Sequence, residues 1–138
     1  MKLHIIAYGK AGRGPEANLV DRYLKRITWP TGVTELSERA AAPVAPPGAR
    51  SILLDERGTS FTSQAFAERL GKFRDDGTRE LRFVIGPADG HSQQQRDSAD
   101  LLLALGPATW PHLLARAMLA EQLYRAFTIL TGHPYHRE

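Results

Sequence analysis

Apolar residues recur along the chain in short runs that glycine, proline or charged residues interrupt. Five of these runs have the length of strands, and they lie at 2–8, 33–36, 51–54, 81–85 and 101–105. Segments of helical character follow four of them, at 15–27, 63–74, 91–99 and 112–131. Strands that alternate with helices predict an α/β fold, with a mostly parallel sheet and helices on both faces. The pattern also predicts a single domain over residues 1–138.

The last third of the chain carries the most distinctive pattern. The apolar run at 101–105 ends at Gly106 and Pro107, and Pro111 suits the first turn of the helix predicted at 112–131. That helix is apolar on more than one face. A helix with so little polar surface is usually buried on two sides. In a chain this short, we expect a partner subunit to cover the second side of the helix. The pattern therefore predicts a homodimer.

The composition narrows the class of protein. The 138 residues include no cysteine, which excludes disulfides and cysteine-based zinc sites and fits a cytoplasmic location. No run approaches ~18 apolar residues, so no membrane span is predicted. The N-terminus does not have the pattern of a signal peptide. A net charge of +3 is compatible with a nucleic-acid partner, but it fits an ordinary basic protein equally well.

A glycine-rich turn at 9–14 joins the first predicted strand to the first predicted helix. Its spacing is G-x-x-G-x-G, whereas dinucleotide sites have G-x-G-x-x-G, although Glu35 or Glu38 could serve as the downstream acid. This pattern leaves open a small nucleotide-binding oxidoreductase. The alternative is a flexible loop in which Lys10 and Arg13 face RNA.

Three loops follow strands that are predicted to be buried, after Leu54, Ile85 and Leu105. In open α/β sheets, ligands bind beyond the carboxyl ends of the strands, so the three loops could converge on one pocket. Glycines at 86, 90 and 106 would let the backbone approach a ligand closely. Each of them could equally be an ordinary turn glycine, and the residues alone leave both interpretations open.

Three segments near the C-terminus carry a family resemblance, namely 110–112 (WPH), 120–126 (AEQLYRA) and 133–138 (HPYHRE). They resemble the SPOUT-class methyltransferases that modify N3 of a pseudouridine in 23S ribosomal RNA. The resemblance implies S-adenosyl-L-methionine as cofactor, large-subunit ribosomal RNA or the assembled ribosome as partner, and a C-terminal deep trefoil knot. It also implies a cofactor site formed by Leu54, Gly86, Gly106, Pro107, Ala108, Thr109, Trp110 and Pro111.

Two features depart from the usual pattern of that family. Pro87 stands where most members have a second glycine, and proline has no N–H to donate to a cofactor. The Ala- and Pro-rich connector at 40–50 is shorter than the usual segment, which contains a helix. The contributions of that amide and that helix are therefore in doubt for this chain.

The C-terminal tail offers the groups that methylation of pseudouridine N3 requires. N3 is a weak acid that becomes nucleophilic when it loses its proton, and a nearby cation or imidazole favours that loss. We assign Tyr135 to stacking on the base and His136 to proton transfer or to orienting the base. Arg137 is assigned to stabilising the negative charge on the base.

Four cations are the candidates for contact with RNA phosphates, namely Arg116, Arg125, Lys10 and Arg13. No metal is expected, because His133 and His136 have no evident third ligand. The other histidines, His4, His91 and His112, are expected to be structural or solvated. A non-catalytic RNA-binding module is the remaining alternative to an enzyme.

Overall fold

Five parallel strands form one sheet in the order β2-β1-β4-β3-β5. The computed structural model describes residues 1–137, without the side chain of Arg137. The strands are β1 (Lys2–Tyr8), β2 (Thr31–Leu36), β3 (Ala49–Ser60), β4 (Glu80–Ile85) and β5 (Leu101–Ala104). The helices are α1 (Pro15–Lys25), α2 (Ser63–Asp75), α3 (Gln93–Ser98) and α4 (His112–Thr131), followed by a 3-10 turn at Pro134–Arg137. The parallel α/β sheet that the pattern predicts is therefore confirmed.

Strand β3 is longer than the pattern predicts. The apolar run at 51–54 predicts a strand that stops at Asp55, whereas β3 continues to Ser60. Its pairing with β5 shifts register in this region and resumes at Thr59, opposite Leu103. The second half of β3 is made of polar and charged residues, so hydrophobic periodicity gives no signal for it.

One face of the sheet carries the main hydrophobic core. Helices α1, α2 and α4 pack together on this face. The strands contribute every second side chain to the core, among them Leu3, Ile5, Ile52, Leu81 and Phe83. The helices contribute Val20, Leu24, Phe66, Leu70, Leu119, Leu123 and Phe127. Most of the apolar surface of α4 is therefore covered by its own chain.

The second face has a smaller core, formed by Ile6, Tyr8, Leu53 and Val84. Instead of a long helix, the irregular connector between β2 and β3 crosses this face. The buried guanidinium of Arg82 donates to the carbonyls of Pro43 and Val44 at 2.7 and 3.2 Å, and it pairs with Glu80 at 2.7 Å. The proline-rich connector cannot form a regular helix, and the short helix α3 buries none of its residues, so this face has a thinner cover than the first.

Gly58 allows β3 to return to β5 without a clash. A Cβ added at this glycine would lie 2.5 Å from the carbonyl carbon of Leu102. Because that atom belongs to the backbone of β5, relieving the clash would require a shift of the strand. We expect Gly58→Ala to lower the free energy of unfolding by about 2 kcal/mol, the scale of overpacking at a tight contact. Urea denaturation measures the change.

Gly32→Ala in β2 is the matched control for Gly58→Ala. Its Cβ would lie 3.3 Å from the flexible side chain of Lys2, which can move. We expect this substitution to change stability by no more than about 0.5 kcal/mol. Equal losses in the two variants would contradict the close approach of β3 and β5.

Candidate active site

A cavity of about 490 Å³ opens at the carboxyl ends of β4 and β5, beside the part of β3 where the register shifts. Its wall is formed by residues 54–57 of β3, by the loops that leave β4 and β5, and by the first turn of α4. Among the residues that line it are Leu54, Gly86, Gly106, Ala108, Thr109 and Trp110. Two other members of the expected cofactor site, Pro107 and Pro111, belong to the same loop but do not line the cavity. The segments after Leu54, Ile85 and Leu105 therefore converge as predicted, although the first of them belongs to β3 and is not a loop.

The loop between β5 and α4 is held in a curled shape by its own hydrogen bond. The indole Nε1 of Trp110 donates to the carbonyl of Leu105 at 2.8 Å. Gly106 has φ +87°, a backbone conformation that favours glycine, and a Cβ there would meet nothing within 4 Å. The hydroxyl of Thr109 lies 3.4 Å from the carboxylate of Glu56, which also lines the cavity. Gly106 is thus both a turn glycine and a cavity residue.

Two histidine rings bond to backbone carbonyls at the strand ends. Nε2 of His91 lies 2.9 Å from the carbonyl oxygen of Leu54, and Nε2 of His112 lies 2.8 Å from that of Gly86. The ring of His91 also packs on Gly86, where an added Cβ would lie 2.9 Å from it. These two histidines are structural, and they fix the wall of the cavity.

An ion pair in the cavity wall has no counterpart in the sequence predictions. Nε of Arg96 donates to the carboxylate of Asp55 at 2.6 Å, and the amide of Arg57 donates to the same carboxylate at 2.9 Å. Burial alone would raise the pKa of Asp55, but these hydrogen bonds outweigh it and lower the pKa below its ordinary value. The partners lie 41 residues apart in the chain, so local spacing could not reveal the pair.

The C-terminal tail packs against the second half of α4. The ring of Tyr135 lies 4.6 Å from that of Tyr124, and its hydroxyl donates to Glu121 at 3.3 Å. Arg125 pairs with the same carboxylate at 2.7 Å, and its guanidinium lies 5.0 Å from the ring centroid of Tyr135. Burial raises the pKa of Tyr135 to about 12, so the phenol keeps its proton at neutral pH.

Within one chain, the tail and the cavity contact different parts of α4. The cavity meets the helix at His112 and Ala115, whereas Tyr135 meets it at Glu121 and Tyr124. At a rise of about 1.5 Å per residue, these positions are separated from His112 by roughly 14 to 18 Å along the helix axis. The structure therefore does not bring the tail to the cavity of the same chain.

Two of the three tail residues assigned to catalysis, Tyr135 and His136, lie in the part of the tail that is described in full. Nδ1 of His136 is buried and has no hydrogen-bond partner among residues 1–136. The third, Arg137, has its side chain outside the described residues.

The expectation that Arg116 contacts RNA phosphates is corrected by the structure. Only 2% of its side chain is exposed. Its guanidinium pairs with the carboxylate of Glu35 and donates to the carbonyl of Gly9 at 3.2 Å. A buried guanidinium with these partners is not available to a phosphate. The helical spacing at 112–131 did not indicate this burial, because α4 is apolar on several faces.

The other candidates for RNA contact have accessible positions. Lys10 and Arg13 are exposed on the loop between β1 and α1. Arg125 is half-buried through its pair with Glu121. Within residues 1–137, no group of three or more histidine, aspartate or glutamate side chains could hold a metal ion. No helix in the same part of the chain is long and apolar enough to cross a membrane.

Comparison with known proteins identifies the class to which this fold and cavity belong. A family model described as "Predicted SPOUT methyltransferase" matches residues 1–136. The chain therefore belongs to the SPOUT methyltransferase family. It is 63% identical over 139 residues to the ribosomal RNA large subunit methyltransferase H of Rhizorhabdus wittichii, with 100% of this chain and 99% of the relative covered. The protein of the same name from Novosphingobium aromaticivorans is 62% identical over 141 residues, with 100% and 99% covered.

Solved structures agree with this fold at low sequence identity. A probable methylase family protein from Haemophilus influenzae has a TM-score of 0.62 and 13% identity, covering 97% of this chain and 69% of that one. A probable methyltransferase from Bordetella pertussis has a TM-score of 0.54 and 14% identity, covering 91% and 95%. These likenesses show the fold alone. The family model and the named relatives confirm the family that the C-terminal segments resemble.

The burial of His91 predicts a pH dependence of stability. Burial lowers the pKa of this imidazole below its ordinary value of 6.5. Below pH 6.5, His91 therefore binds a proton more readily in the unfolded chain than in the folded chain. The stability that is present above pH 6.5 is lost as the pH falls below this value. His91→Gln cannot titrate, so we expect it to lose less stability than the wild type between about pH 7.5 and about pH 5.5. Thermal denaturation at both pH values provides the measurement. If the wild type and His91→Gln lose the same stability between these pH values, the burial of a neutral His91 is contradicted.

Proposed function

We propose that this chain is an S-adenosyl-L-methionine-dependent methyltransferase that methylates N3 of a pseudouridine in 23S ribosomal RNA. It acts in the cytoplasm as a homodimer, with the assembled ribosome as its substrate. The observation that carries the proposal is 63% identity, over 100% of this chain, to a relative named as a ribosomal RNA large subunit methyltransferase. The threaded trefoil knot is part of the proposal, and the C-terminal order β4, α3, β5, α4 is compatible with it.

The cavity fits S-adenosyl-L-methionine in size and in chemistry. Its volume of about 490 Å³ lies within the range of roughly 300–1,000 Å³ that is typical of small-molecule sites. The open space beside Gly106 lets a ligand approach the backbone closely. The carboxylate of Glu56 on the wall suits a cation such as the sulfonium. When bound, the cofactor supplies an electrophilic methyl group.

The chain's own residues would hold that cofactor by packing and by backbone contact. The loop at 106–111 surrounds one side of the cavity, and Leu54 and Gly86 form the other side. Pro87 contributes shape alone, because it has no N–H and its carbonyl already accepts from the amide of Gly90 at 2.8 Å. The departure at this position is therefore compatible with cofactor binding.

The oxidoreductase alternative is disfavoured by the geometry of the glycine-rich loop. A dinucleotide site needs a free acid to receive the ribose hydroxyls. Glu35 instead accepts a hydrogen bond from the amide of Ala11 at 2.7 Å and pairs with Arg116. Helix α1 also begins with Pro15, which removes one N–H from the end that would face a phosphate. The RNA-binding alternative without catalysis leaves the strand-end cavity unexplained.

A second cavity, of about 500 Å³, supports the homodimer. It is bounded by α4, α1, β5 and the start of α2, and its lining includes Leu19, Tyr23, Phe61, Leu114 and Met118. Leu114 is 37% exposed although it lies on a helix that is otherwise mostly buried. Contiguous apolar surface of this kind marks interaction sites in soluble proteins. We therefore assign this surface to the subunit interface.

We further propose that the tail serves the cofactor cavity of the partner subunit. This arrangement accounts for the distance between the tail and the cavity of its own chain. His136 would take the proton from N3 or orient the base, and Arg137 would stabilise the anionic base. Tyr135 keeps its proton at neutral pH, so it acts as a stacking and anchoring group and not as a base.

Ribosomes from cells that lack this protein are the predicted substrate. Incubated with the protein and a cofactor carrying a labelled methyl group, they should gain label at N3 of a pseudouridine in 23S ribosomal RNA. Ribosomes from wild-type cells should gain little, because that position is already methylated. Mass spectrometry of digested RNA locates the methyl group, and label on another base or none at all would contradict the proposal.

Ala108→Phe tests whether transfer depends on the strand-end cavity. Ala108 is exposed on the cavity wall, so a phenyl group there fills the cavity without entering the core. We expect calorimetry to show at least a tenfold loss of cofactor affinity, about 1.4 kcal/mol or more, together with loss of transfer. Ala42→Phe, on the exposed connector, is the control and should leave both unchanged. Unchanged affinity in a folded Ala108→Phe variant would exclude this cavity as the cofactor site.

A further inference from the structure

An ion pair between Glu35 and the buried Arg116 ties the loop between β1 and α1 to helix α4. The same carboxylate oxygen of Glu35, at the carboxyl end of β2, accepts the amide of Ala11 at 2.7 Å and pairs with Nη1 of Arg116. Nη2 of Arg116 donates to the carbonyl of Gly9 at 3.2 Å. Two points of the loop, at Gly9 and Ala11, are therefore held by one pair of charged side chains from β2 and α4.

This pair extends the set of contacts that α4 makes with the strand ends. His112 bonds to the carbonyl of Gly86 after β4, and Arg116, one turn further along, bonds to that of Gly9 after β1. Strands β1 and β4 are neighbours in the sheet, so the two loops emerge side by side. The loop at 9–14 consequently lies next to a wall of the cofactor cavity, although it does not line that cavity.

The loop is basic and has little internal structure of its own. Lys10 and Arg13 are both exposed on it. Gly9 and Gly12 have φ of +98° and +70°, and the unfolded loop has many conformations available to it because glycine is permissive. A precise placement of the two cations therefore requires a tether from outside the loop.

We propose that Glu35 and Arg116 are positioning residues that hold the loop at 9–14 so that Lys10 and Arg13 contact phosphates of the substrate RNA beside the cofactor cavity. The proposal rests on the function proposed above, since it takes ribosomal RNA as the substrate. The pair acts through the loop and touches neither the cofactor nor the reacting base. Its loss should therefore weaken the recognition of RNA and leave cofactor binding intact.

Physical chemistry favours this role over a purely stabilising one. Only Arg116 is buried, because 35% of the Glu35 side chain is exposed to solvent, which screens the attraction between the two charges. Removing Arg116 from water is costly, so the net stability that the pair contributes is small. Hydrogen bonding to Arg116, followed by that to Ala11, lowers the pKa of Glu35 below its ordinary value, so the carboxylate stays charged at neutral pH. The pair supplies directional hydrogen bonds to the loop, which apolar packing could not provide.

Glu35→Ala and Glu38→Ala form a matched pair of variants for the test. Both glutamates are exposed residues at the carboxyl end of β2, and each substitution removes one negative charge beside the basic loop. Electrostatics alone would make both variants bind RNA more tightly. Positioning predicts the opposite for Glu35→Ala alone, because only Glu35 holds the amide of Ala11 and the guanidinium of Arg116.

We expect Glu35→Ala to raise KM for ribosomes by roughly five- to tenfold, the scale of one or two weakened phosphate contacts. The values of kcat and of the cofactor Kd should stay within about twofold of the wild type. Glu38→Ala should show no rise in KM. Glu35→Gln keeps an acceptor for Ala11 but loses the charge, so its KM should fall between those of Glu35→Ala and the wild type. If Glu35→Ala folds poorly, the KM of Glu35→Gln provides the test.

Lys10→Ala completes the test as a double-mutant cycle. It should raise KM in the wild-type background and raise it less in the Glu35→Ala background, because the untethered loop no longer presents Lys10 to a phosphate. Hydrogen exchange at the amide of Ala11 should become faster in Glu35→Ala, while exchange in β1 stays unchanged. This second measurement does not depend on enzymatic activity.

Any one of four results would overturn the inference. The first two are an unchanged KM in Glu35→Ala and an equal rise of KM in Glu38→Ala. The other two are a loss of cofactor affinity that parallels the rise in KM, and additive effects of Lys10→Ala and Glu35→Ala on KM. If the wild-type protein fails to methylate ribosomes while binding the cofactor, the proposed function itself fails, and the inference fails with it.

Discussion

Because all five strands run in the same direction, every loop that leaves the carboxyl end of a strand emerges at one edge of the sheet. Helix α4 is the element that fixes these loops relative to one another. Its first two turns bond to the carbonyls of Gly86 and Gly9 through His112 and Arg116. The cavity between residues 54–57 of β3 and the loops of β4 and β5 takes its shape from these contacts and from the bond of His91 to Leu54. These contacts restrict the glycine-bearing loops, whose backbone is conformationally permissive, to one geometry.

The same helix also separates the two halves of the candidate site. Its N-terminal turn borders the cavity, and its C-terminal half carries the tail through Glu121, Tyr124 and Arg125. A helix is too stiff to fold back on itself, so the tail of one chain stays distant from the cavity of that chain. An apolar surface along α1 and α4, at Leu19 and Leu114, offers a place for a second copy. Dimerisation, as proposed, would join each tail to the other cavity.

Much of the fold follows from patterns that are local in the sequence. Five strand runs, the break at Gly106 and the start of α4 at His112 could be predicted because periodicity and turn chemistry act over a few residues. The polar half of β3 could not, since its pairing with β5 depends on the space left by Gly58. The packing of the connector on the second face of the sheet could not be predicted either, because it depends on a hydrogen bond from Arg82 to the connector.

The candidate site shows the same division. The convergence of the segments after Leu54, Ile85 and Leu105 could be predicted from the parallel order of the strands. Six of the eight cofactor residues that the family resemblance implies line the cavity. The roles of Arg116 and Asp55 could not, because their partners lie 81 and 41 residues away in the chain. An arginine on an apolar helix is equally compatible with a phosphate contact and with a buried ion pair. Only the position of Glu35 decides between them.

The claim that two subunits build each active site is tested most directly by mixing two inactive variants. One variant is Ala108→Phe, which keeps its tail, and the other lacks residues 134–138 but keeps its cavity. Co-expressed at equal levels, half of their dimers should be mixed, and each mixed dimer should contain one complete site, giving about a quarter of wild-type methyl transfer to ribosomes. Each variant alone should be inactive. If co-expressed variants that still form dimers by light scattering show no transfer, the tail does not serve the cavity of the partner subunit, and the account is contradicted.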